Sequence, residues 1–428
     1  MTISKKYVHL NAFIQLKKMQ AGVPANAEEL KKLQFRKLKK LVTHAYSNFD
    51  FYRDLMDSAK FDPQKFKELE ELSLLPTISK HDYREFIDYQ LEKYPGKYKG
   101  YFEDHTSGST GVPLRVYRSW NERAYLLSKF LRVFFDNGYG IFDTTFGILA
   151  PTRFRKRDSV FQKLGVMPRV SVPYTESGEK LVQKFVESEA DVLYGNISSL
   201  VQMAHYIEEN NISIKPLKFY ISTGEELDES SRPILHRVFG ENLINHYGSI
   251  EFSTLAYRRK GEDYLHFNHD TNLLEVLDQH GNKCSQGRNV VTDFHIYSFP
   301  MIRYELGDHV ETVDRDGFTM IRKIRGREDD KLKMKDGSKK SSYFIFEVFG
   351  KDLQIKQYKV IQEDFDFVRA EVVLRDQNKE QILEKDIVER FNKFVGEGIK
   401  LKIDYVNEIG PEPNGKLTKF VSRIPEKA

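Results

Sequence analysis

The sequence has few of the features that mark secreted or membrane-spanning proteins. It contains one cysteine, Cys284, in 428 residues, which excludes an internal disulfide framework and is typical of a reducing compartment. No run of apolar residues approaches the roughly 18 that a membrane-spanning helix needs. The opening MTISKKYVHLNAFIQ has no apolar stretch of the kind found in secretory signals. We therefore expect a cytoplasmic protein without a membrane span.

The sequence also lacks an excess of charge of one sign. Its 67 basic and 63 acidic residues leave a formal net charge of +4, whereas nucleic-acid binding is typical of a clustered basic surface interleaved with aromatic residues. The basic cluster RFRKR, residues 153–157, is interpreted as a surface loop above a crevice, where it would lie near an anionic molecule. With 40% hydrophobic and 30% charged residues, the chain is predicted to be globular with a large core. We expect no nucleic-acid partner.

Periodic apolar residues predict helices in the N-terminal part of the chain. Over residues 27–58 they recur at a spacing of three to four among lysines, which is typical of amphipathic helices whose lysines face solvent. The segment SLLPTISKHDYREF then predicts a proline-marked loop and a helix that begins at Ser79. We interpret these lysines as a solvated face and not as a binding surface.

The stretch from residue 120 to residue 250 alternates between strand-like and helix-like segments. The predicted strands are TTFGILAP, DVLYG, LKFYIST and NLINHYG, and the predicted helices between them are GEKLVQKFVESEA, SSLVQMAHYIEENN and DESSRPILHRVFG. This alternation predicts a parallel, doubly wound α/β sheet. Because ligands bind beyond the carboxyl ends of such strands, we expect YISTGEE and NHYGSIE to face one crevice.

The remainder of the chain changes character twice. Residues 262–325 contain short strands with the hairpin signals DQHGNK and DRDGF. After the charged stretch 326–342, the strands QYKVIQED, FVRAEVVLRD and IKLKIDYV and a helix near 378–396 predict a small α+β domain. We therefore predict an N-terminal domain over residues 1–328 and a C-terminal domain over residues 329–428.

A loop rich in hydroxyl groups and glycine is the first candidate for chemistry. His105–Ser119 reads HTSGSTGVPLRVYRS. Glycines allow backbone N–H groups to turn toward an anion, and hydroxyl groups add further donors, so the loop could bind phosphate. The same composition is found in ordinary solvated turns, and this segment alone leaves both interpretations open.

A second candidate, GPEPNGKL at residues 410–417, has the spacing of a P-loop without its chemistry. Leu417 stands where a P-loop has serine or threonine, and Pro411 and Pro413 remove backbone donors. We therefore reject a P-loop. Lys416 follows an Asn-Gly turn, where it is either an exposed lysine or a functional one.

Three shorter segments become informative only in combination. YGSIE contains Glu251, IRYELGD contains Asp308, and GREDD contains Arg327, Asp329 and Asp330. Each charge alone is more often solvated than bound to a ligand. In this order the segments resemble the motifs of the adenylate-forming superfamily of acyl-CoA synthetases, adenylation domains and luciferases. LKKLVTHAYSNFDFYRDLM, YGNISSL, ISTGEEL and FPMIRYELGD resemble its branch of phenylacetate–CoA ligases and CapK-like capsule-biosynthesis proteins.

The resemblance implies a fold and a role for each matching residue. The fold would be a large N-terminal domain, with doubly wound sheets and a small β-barrel-like part, followed by a small mobile α+β domain. The ATP phosphates would be bound by Thr106, Ser107, Gly108, Ser109, Thr110 and Gly111. Adenine and ribose would be bound by Gly224, Glu225, Glu226, Tyr247, Gly248, Asp308 and Arg327. Catalytic roles would fall to Glu251, which would bind Mg²⁺, and to Lys416, with a hinge at Asp329 and Asp330.

The resemblance also implies a reaction. A carboxylate would attack the α-phosphorus of ATP to give an acyl-adenylate and pyrophosphate, and CoA would then displace AMP. An amine, such as an amino sugar in surface-polysaccharide biosynthesis, is the alternative acceptor. A non-catalytic nucleotide-binding protein is an alternative of another class; it would be expected to lack Glu251 or Lys416, and both are present. Relatives are often dimers, so a homodimer is one assembly that the resemblance allows.

The identity of the acid stays open at the level of the sequence. The expected walls of the acyl pocket are Phe146, Asn196, Ser222 and Tyr247. These residues do not define the shape of the pocket, and an aromatic, a medium apolar, a hydroxy or an amino acid are all alternatives.

A zinc site is considered because some members of this branch carry one. The candidate ligands are His266, His269, His280 and Cys284. Their spacing fits no standard zinc set, and His266 and His269 cannot point to one face of a strand. We therefore do not expect zinc.

Overall fold

The computed structural model describes most of the chain, in two compact units. The described residues are 7–105, 114–149, 162, 164–225, 227, 231–327, 331–336, 339–341, 345, 348–349, 354–374, 380–396, 398–410 and 419–424. The first unit comprises Met1–Gly138 and His246–Ile324, and the second comprises Tyr139–Asn245 and Arg325–Ala428. Within the described residues, no helix is long and apolar enough to cross a membrane.

Most of the helices form where the sequence predicts them, whereas Val8–Ala21 and Trp120–Asp136 were not among the predicted segments. Their bounds are α1 Val8–Ala21, α2 Ala27–Asn48, α3 Asp50–Ser58, α4 Lys80–Lys93, α5 Trp120–Asp136, α6 Gly178–Ser188, α7 Ile197–Glu209, α8 Arg232–Phe239 and α9 Glu380–Val395. The predicted helical stretch 27–58 is α2 followed by α3. Ser79 begins α4, as predicted, because its hydroxyl accepts a hydrogen bond from the backbone N–H of Asp82 while Asp82 accepts one in return.

The strands alternate with these helices in the middle of the chain and follow one another elsewhere. Their bounds are β1 Phe102–His105, β2 Arg115–Arg118, β3 Thr145–Leu149, β4 Arg169–Pro173, β5 Val192–Asn196, β6 Phe219–Thr223, β7 Leu243–Ser249, β8 Ser253–Arg258, β9 Leu265–Phe267, β10 Asn272–Leu277, β11 Gln286–Asp293, β12 Tyr304–Arg315, β13 Phe318–Arg327, β14 Lys331–Lys333, β15 Lys339–Ser341, β16 Ile355–Asp364, β17 Phe367–Leu374, β18 Lys400–Tyr405 and β19 Phe420–Ser422.

The first unit contains an antiparallel sheet packed beneath its helices. The strand order is β10-β11-β12-β13-β9-β8-β7, with antiparallel pairing along it. The predicted hairpin DRDGF joins β12 to β13, and Asp316 and Gly317 have φ values of +54° and +78°, as a tight hairpin turn requires. Apolar side chains from α2, α3 and α4 pack with Phe252, Phe299 and Tyr304 in one core.

Charged side chains are also buried in the first unit, where α5 meets β10 and β11. The Nζ of Lys129 lies 3.2 Å from Asp293 Oδ2 and 3.1 Å from Asn272 Oδ1, and neither charged side chain is exposed. Arg132 Nη1 donates to both carboxylate oxygens of Asp270, at 2.8 and 3.0 Å. We call these five residues the paired network, because each charge in it has an opposite charge beside it.

The α/β part of the second unit confirms the predicted parallel sheet. Its strand order is β6-β5-β3-β4, and β3 pairs in parallel with β4 and β5, as β5 does with β6. Phe146, Leu193 and Tyr220 lie side by side on these strands and are fully buried with residues of α6, α7 and α8. The strand β4 was not among the predicted segments.

The C-terminal part of the second unit confirms the predicted small α+β fold. Its sheet has the order β18-β17-β16-β19, and α9 contributes Ile387 and Phe391 to a core with Val360 and Val368. The predicted domain boundary at residues 328–329 does not coincide with the limits of the two units, and residues 328–330 lie outside the described part. The position of the boundary between the two predicted domains therefore stays a prediction.

Candidate active site

A β-bulge in the first unit presents the carboxylate of Asp308. The pairing of β11 with β12 shifts register between Arg288 and Val290, so a stretch of β12 that includes Gly307 and Asp308 lies opposite Asn289. Gly307 has a φ of +85°, which glycine adopts without the steric cost of a side chain. Bulges re-aim side chains, and this one turns the Asp308 carboxylate toward β7.

Tyr247 connects two motifs that are far apart in the sequence. Its hydroxyl donates a hydrogen bond to Asp308 Oδ2 at 2.6 Å, and Asn289 Nδ2 donates to the Tyr247 oxygen at 2.8 Å. Asn289 is fully buried, and Tyr247 is 8% exposed. Among the described residues, the Oδ1 of Asn289 has no hydrogen-bond partner. The YGSIE and ELGD motifs thus meet at one place, through a hydrogen-bonded chain that we call the Asn289–Tyr247–Asp308 relay.

The backbone around Gly248 has no room for a side chain. A Cβ at this position would overlap the carbonyl oxygen of Ser253, and β7 shifts its register between Tyr247 and Gly248. Only glycine allows the strands to approach so closely. After this point the chain turns, and the carbonyl oxygen of Glu251 accepts a hydrogen bond from Arg118 Nη2 at 3.0 Å.

The Glu251 side chain differs from the charges of the paired network because its carboxylate has no partner among the described residues. The residue is 7% exposed, and within the described part of the chain no group forms a hydrogen bond or an ion pair with its carboxylate. Its oxygens are not among the fully buried atoms that lack a partner, so part of the carboxylate reaches solvent, and a counter-charge would stabilise it further. Oxygen ligands of this kind suit Mg²⁺, which proteins typically bind through one or two carboxylates together with substrate phosphates.

Burial keeps two ionisable groups near these residues neutral. It lowers the pKa of His246 to about 4, and the Nε2 of this histidine lies 2.9 Å from the hydroxyl of Thr254. Burial also raises the pKa of Tyr83 to about 12, although Arg118 acts in the opposite direction. At pH 7 His246 therefore supplies no positive charge to the carboxylate of Glu251, and Tyr83 adds no negative charge beside it.

In the second unit, Glu225 is held at the N-terminus of α7. Its carboxylate accepts hydrogen bonds from the Ser198 backbone N–H and hydroxyl, both at 2.7 Å, and from Asn196 Nδ2 at 3.0 Å. A negative charge at the start of a helix is stabilised by the helix dipole. Gly224, with a φ of +75°, allows the chain to turn from β6 into this position. The YGNISSL and ISTGEEL motifs therefore meet through Glu225.

The predicted walls of the acyl pocket lie in three different settings. Phe146 is fully buried and packs edge to face with Phe185, with ring centroids 5.4 Å apart. The hydroxyl of Ser222 is buried, and neither it nor the Oδ1 of Asn196 has a hydrogen-bond partner among the residues described. Tyr247 belongs to the relay. These settings do not test the predicted pocket, which stays a prediction.

Several predicted site residues lie outside the described part of the chain. They are the phosphate loop Thr106, Ser107, Gly108, Ser109, Thr110 and Gly111, together with Glu226, Asp329, Asp330 and Lys416, and the basic cluster at 153–157. Arg327 is the last residue of β13. That YISTGEE and NHYGSIE face one crevice also stays a prediction, since the two motifs belong to different compact units.

The residues considered as zinc ligands make separate contacts. His266 contacts the carboxylate of Glu262, His269 Nε2 lies 2.7 Å from the Thr319 carbonyl oxygen, and His280 contacts Gln279. The sulfur of Cys284 lies 3.2 Å from the carbonyl oxygen of Gln286. Across the described residues, no group of three or more histidine, cysteine or acidic side chains is placed to hold a metal ion.

Two residues of the site were missed by the sequence interpretation. Asn289 supports Tyr247, and Arg118, which is 1% exposed, holds the backbone at Glu251. Asn289 stands between Arg288 and the apolar pair Val290 and Val291, and a polar residue beside such a pair was a signal, because buried polar groups are usually hydrogen-bonded. Arg118 had no comparable signal, since an arginine at the end of a short strand is ordinarily solvated.

Comparisons with known proteins extend over nearly the whole chain. Residues 332–423 match the family model of the CapK C-terminal domain. Protein CapK of Staphylococcus aureus is 24% identical over 419 residues, which cover 92% of this chain and 90% of CapK. A phenylacetate–coenzyme A ligase of Aromatoleum evansii is also 24% identical, and the alignment covers 94% of this chain and 96% of the ligase.

A solved structure shares the fold at low sequence identity. A crystal structure of 2-hydroxyisobutyryl-CoA ligase, in the postadenylation state with 2-HIB-AMP, superposes with a TM-score of 0.74. The match covers 93% of this chain and 90% of the ligase at 18% identity. The expected fold, a mixed α/β architecture with a smaller C-terminal domain, is thereby confirmed.

Proposed function

Since the chain is a homologue of CapK and of phenylacetate–CoA ligases, and has the fold of adenylate-forming CoA ligases, we propose that it activates a carboxylic acid with ATP and transfers the acyl group to CoA. ATP and CoA are cytoplasmic metabolites, and we place the reaction in the cytoplasm. Assembly as a homodimer is retained as a prediction.

The observation that carries this proposal is the meeting of the YGSIE and ELGD motifs in the first unit. Tyr247 lies 2.6 Å from Asp308, and the buried carboxylate of Glu251 follows Tyr247 on the same segment. A carboxylate can accept hydrogen bonds from the hydroxyl groups of a ribose. An unpaired carboxylate nearby can bind a cation that also contacts phosphate. Asp308 would therefore bind the ribose of a nucleotide, and Glu251 would bind a cation that contacts its phosphates.

In the first half-reaction, an oxygen of the substrate carboxylate attacks the α-phosphorus of ATP. The bond from this phosphorus to the bridging oxygen breaks, and pyrophosphate leaves. A Mg²⁺ ion held by Glu251 would offset the charge of the phosphates. Asp308 orients the nucleotide by accepting from its ribose, and Glu251 would hold the cation. This step consists mainly of positioning and charge stabilisation, so a small number of fixed groups is sufficient.

In the second half-reaction, the sulfur of CoA attacks the carbonyl carbon of the acyl-adenylate. The bond from that carbon to the phosphate oxygen breaks, AMP leaves, and the thiol proton is released to solvent. We propose that Lys416 stabilises charge in the first step from a mobile C-terminal domain, and that residues 106–111 bind the ATP phosphates. These assignments follow the resemblance of the motifs.

A second candidate differs only in the acceptor. An amine would attack the same carbonyl carbon and give an amide with release of AMP. This candidate is kept because residues 332–423 match the CapK C-terminal domain, and the resemblance to CapK-like capsule-biosynthesis proteins is what implied an amine acceptor. CoA remains the first proposal because phenylacetate–CoA ligase aligns over 94% of the chain.

The test is exchange of labelled pyrophosphate into ATP with pools of carboxylic acids. Wild type should catalyse exchange that requires Mg²⁺ and at least one acid, and Lys416→Ala should reduce it about a hundredfold or more. Lys400→Ala removes an exposed lysine of the same domain and should leave the rate unchanged. Absence of acid-dependent exchange, in folded protein and with every pool, would overturn the proposal. Adding CoA or amines in turn then identifies the acceptor by which one consumes the adenylate.

A further inference from the structure

The hydroxyl of Tyr247 has one proton and lies between two polar side chains. Asp308 is 2.6 Å away on one side, and the side-chain amide of Asn289 is 2.8 Å away on the other. An ionised carboxylate can only accept hydrogen bonds, so the proton of Tyr247 points to Asp308. The Tyr247 oxygen must then accept from its other neighbour, and the Nδ2 group of Asn289 is the donor that it requires.

The position of Asn289 gives this arrangement its rigidity. Asn289 is fully buried in β11 and lies opposite the bulge of β12 from which Asp308 projects. Its backbone is therefore fixed by the sheet, and its side chain is shielded from solvent. A donor at this place saturates the Tyr247 oxygen and prevents the hydroxyl from rotating away from the carboxylate.

From this geometry we propose that Asn289 is a positioning residue for nucleotide binding, which acts through Tyr247 to fix the acceptor direction of the Asp308 carboxylate toward the ribose hydroxyls. This inference rests on the proposed function, because it assigns a nucleotide to Asp308. Asn289 itself does not touch the ligand, and its effect reaches the ribose only through the relay. The polarity of its side chain, with a donor toward Tyr247, is the property that matters.

The polarity can be reversed with almost no change of shape. In Asn289→Asp a carboxylate replaces the amide, so the Tyr247 proton has two competing acceptors and Asp308 loses its fixed donor. Asn289→Leu removes the donor and places no acceptor there. A purely structural role would make Leu the more harmful change, because its shape differs more, whereas a role in polarity makes Asp the more harmful one.

The measurement is the affinity for AMP, 2′-deoxy-AMP and 3′-deoxy-AMP by isothermal titration calorimetry. If Asp308 accepts from the ribose, wild type should lose about ten- to a hundredfold in affinity when the relevant hydroxyl is removed. In Asn289→Asp this loss should fall to about threefold or less, and in Asn289→Leu it should be intermediate. Because each value is a ratio between ligands, a general change in phosphate binding caused by the new charge cancels.

A double variant isolates the path of the effect. Tyr247→Phe removes the hydroxyl, and in that background Asn289→Asp and Asn289→Leu should no longer change the ratio between AMP and its deoxy analogues. If Asn289→Leu does not fold, Asn289→Asp, with nearly the original volume, carries the test. The exposed residue Gln286 on the same strand provides the control variant Gln286→Leu, in which the ratio should match wild type.

The outcomes separate this inference from the proposed function. Wild type that discriminates against deoxy-AMP, with the same ratio in the Asn289 variants, overturns the role of Asn289 alone. Wild type that binds AMP without discriminating against either analogue overturns the role of Asp308 and the inference with it. Wild type that neither binds AMP nor exchanges pyrophosphate overturns the proposed function itself.

Discussion

Two groups of buried polar side chains in the first unit differ in how they are satisfied. In the paired network, Lys129 and Arg132 each face a carboxylate, and Asn272 adds an acceptor for Lys129. In the candidate site, Glu251 is nearly as buried but has no partner for its carboxylate in the part of the chain that the structure describes. The Oδ1 of Asn289 is likewise left without a partner there.

We interpret this difference as one between residues that stabilise the fold and residues that would bind the proposed ligand. A buried charge with a partner stabilises the arrangement that contains it, whereas removal of one partner leaves an uncompensated charge. A buried charge without a partner costs stability and is retained when a bound ligand supplies the missing counter-charge. Substitution in the first group should therefore affect unfolding, and substitution in the second should affect activity.

The largest expected effect is on the paired network. Asp293→Ala leaves Lys129 buried without a counter-charge and should lower the free energy of unfolding by about 3 to 5 kcal/mol. Urea denaturation followed by circular dichroism measures this change. The double variant Lys129→Met with Asp293→Leu removes both charges and should be less destabilised than Asp293→Ala. A double variant as unstable as Asp293→Ala would contradict the view that the unpaired charge is the cause.

The next effect contrasts two glutamates of equal burial. Glu251 and Glu275 are 7% and 6% exposed, but Glu275 is paired with Arg303 at 3.1 Å. Glu251→Gln should reduce pyrophosphate exchange about a hundredfold or more without loss of thermal stability, because it removes the proposed cation ligand. Glu275→Gln should lower the melting temperature and retain the exchange rate per folded molecule. If both variants lose stability and keep activity, the proposed difference between Glu251 and Glu275 is wrong.

A smaller effect is expected from the backbone that carries the site. In Gly248→Ala the new methyl group would overlap the Ser253 carbonyl oxygen, so β7 and β8 must separate locally. The free energy of unfolding should fall by about 1 to 3 kcal/mol, and the Michaelis constant for ATP should rise because Tyr247 is displaced. Gly138→Ala is not a suitable control, because Gly138 has a φ of +90°. The matched control is Gly96→Ala, since a Cβ at Gly96 would have no atom within 4 Å, and this variant should behave as wild type.

The smallest effect is the pH dependence of stability that His295, a neighbour of the paired network, should cause. Burial, with the nearby charges of Lys37 and Lys129, lowers the pKa of His295 to about 3. The unfolded state therefore binds a proton on this side chain near pH 6.5, whereas the folded state does not. The free energy of unfolding that His295 contributes is complete above pH 6.5 and is lost as pH falls toward 3. Between pH 7 and pH 5 the loss should be about 1 to 2 kcal/mol.

The pH effect is measured by urea denaturation at both pH values in wild type and His295→Asn. The variant should lose less stability than wild type on acidification, and His81→Asn, which changes an exposed histidine of α4, should follow wild type. An identical pH dependence in wild type and His295→Asn would show that other groups cause it.

The sequence allowed the elements and the motif residues to be predicted, because both leave local signals. Apolar periodicity located α2 and α3, the start signal at Ser79 located α4, and the alternation of segments predicted the parallel sheet that contains β3, β5 and β6. Turn residues such as Asp316 and Gly317 indicated a hairpin. Glu251 and Asp308 were identified because each stands in a short motif with its neighbours.

The relay and the paired network could not be predicted in the same way, because they join distant parts of the chain. Asn289 is 42 residues from Tyr247, and Lys129 lies in a helix where a lysine is ordinarily solvated. Only the register shift of β11 against β12, which depends on strand pairing, brings Asn289 opposite Asp308. The edge strand β4 was missed because VSVP is short and follows no helix in the predicted alternation.

The first unit is made of two stretches of chain, Met1–Gly138 and His246–Ile324, and this division has a consequence for biosynthesis. A ribosome releases α5 well before β11, and Lys129 and Asp293 are 164 residues apart. The N-terminal helices therefore leave the exit tunnel before the strands that pack against them. During this interval the nascent chain exposes apolar surface of the kind that chaperones bind. Slow translation between residues 246 and 324 would lengthen the time during which this apolar surface is exposed.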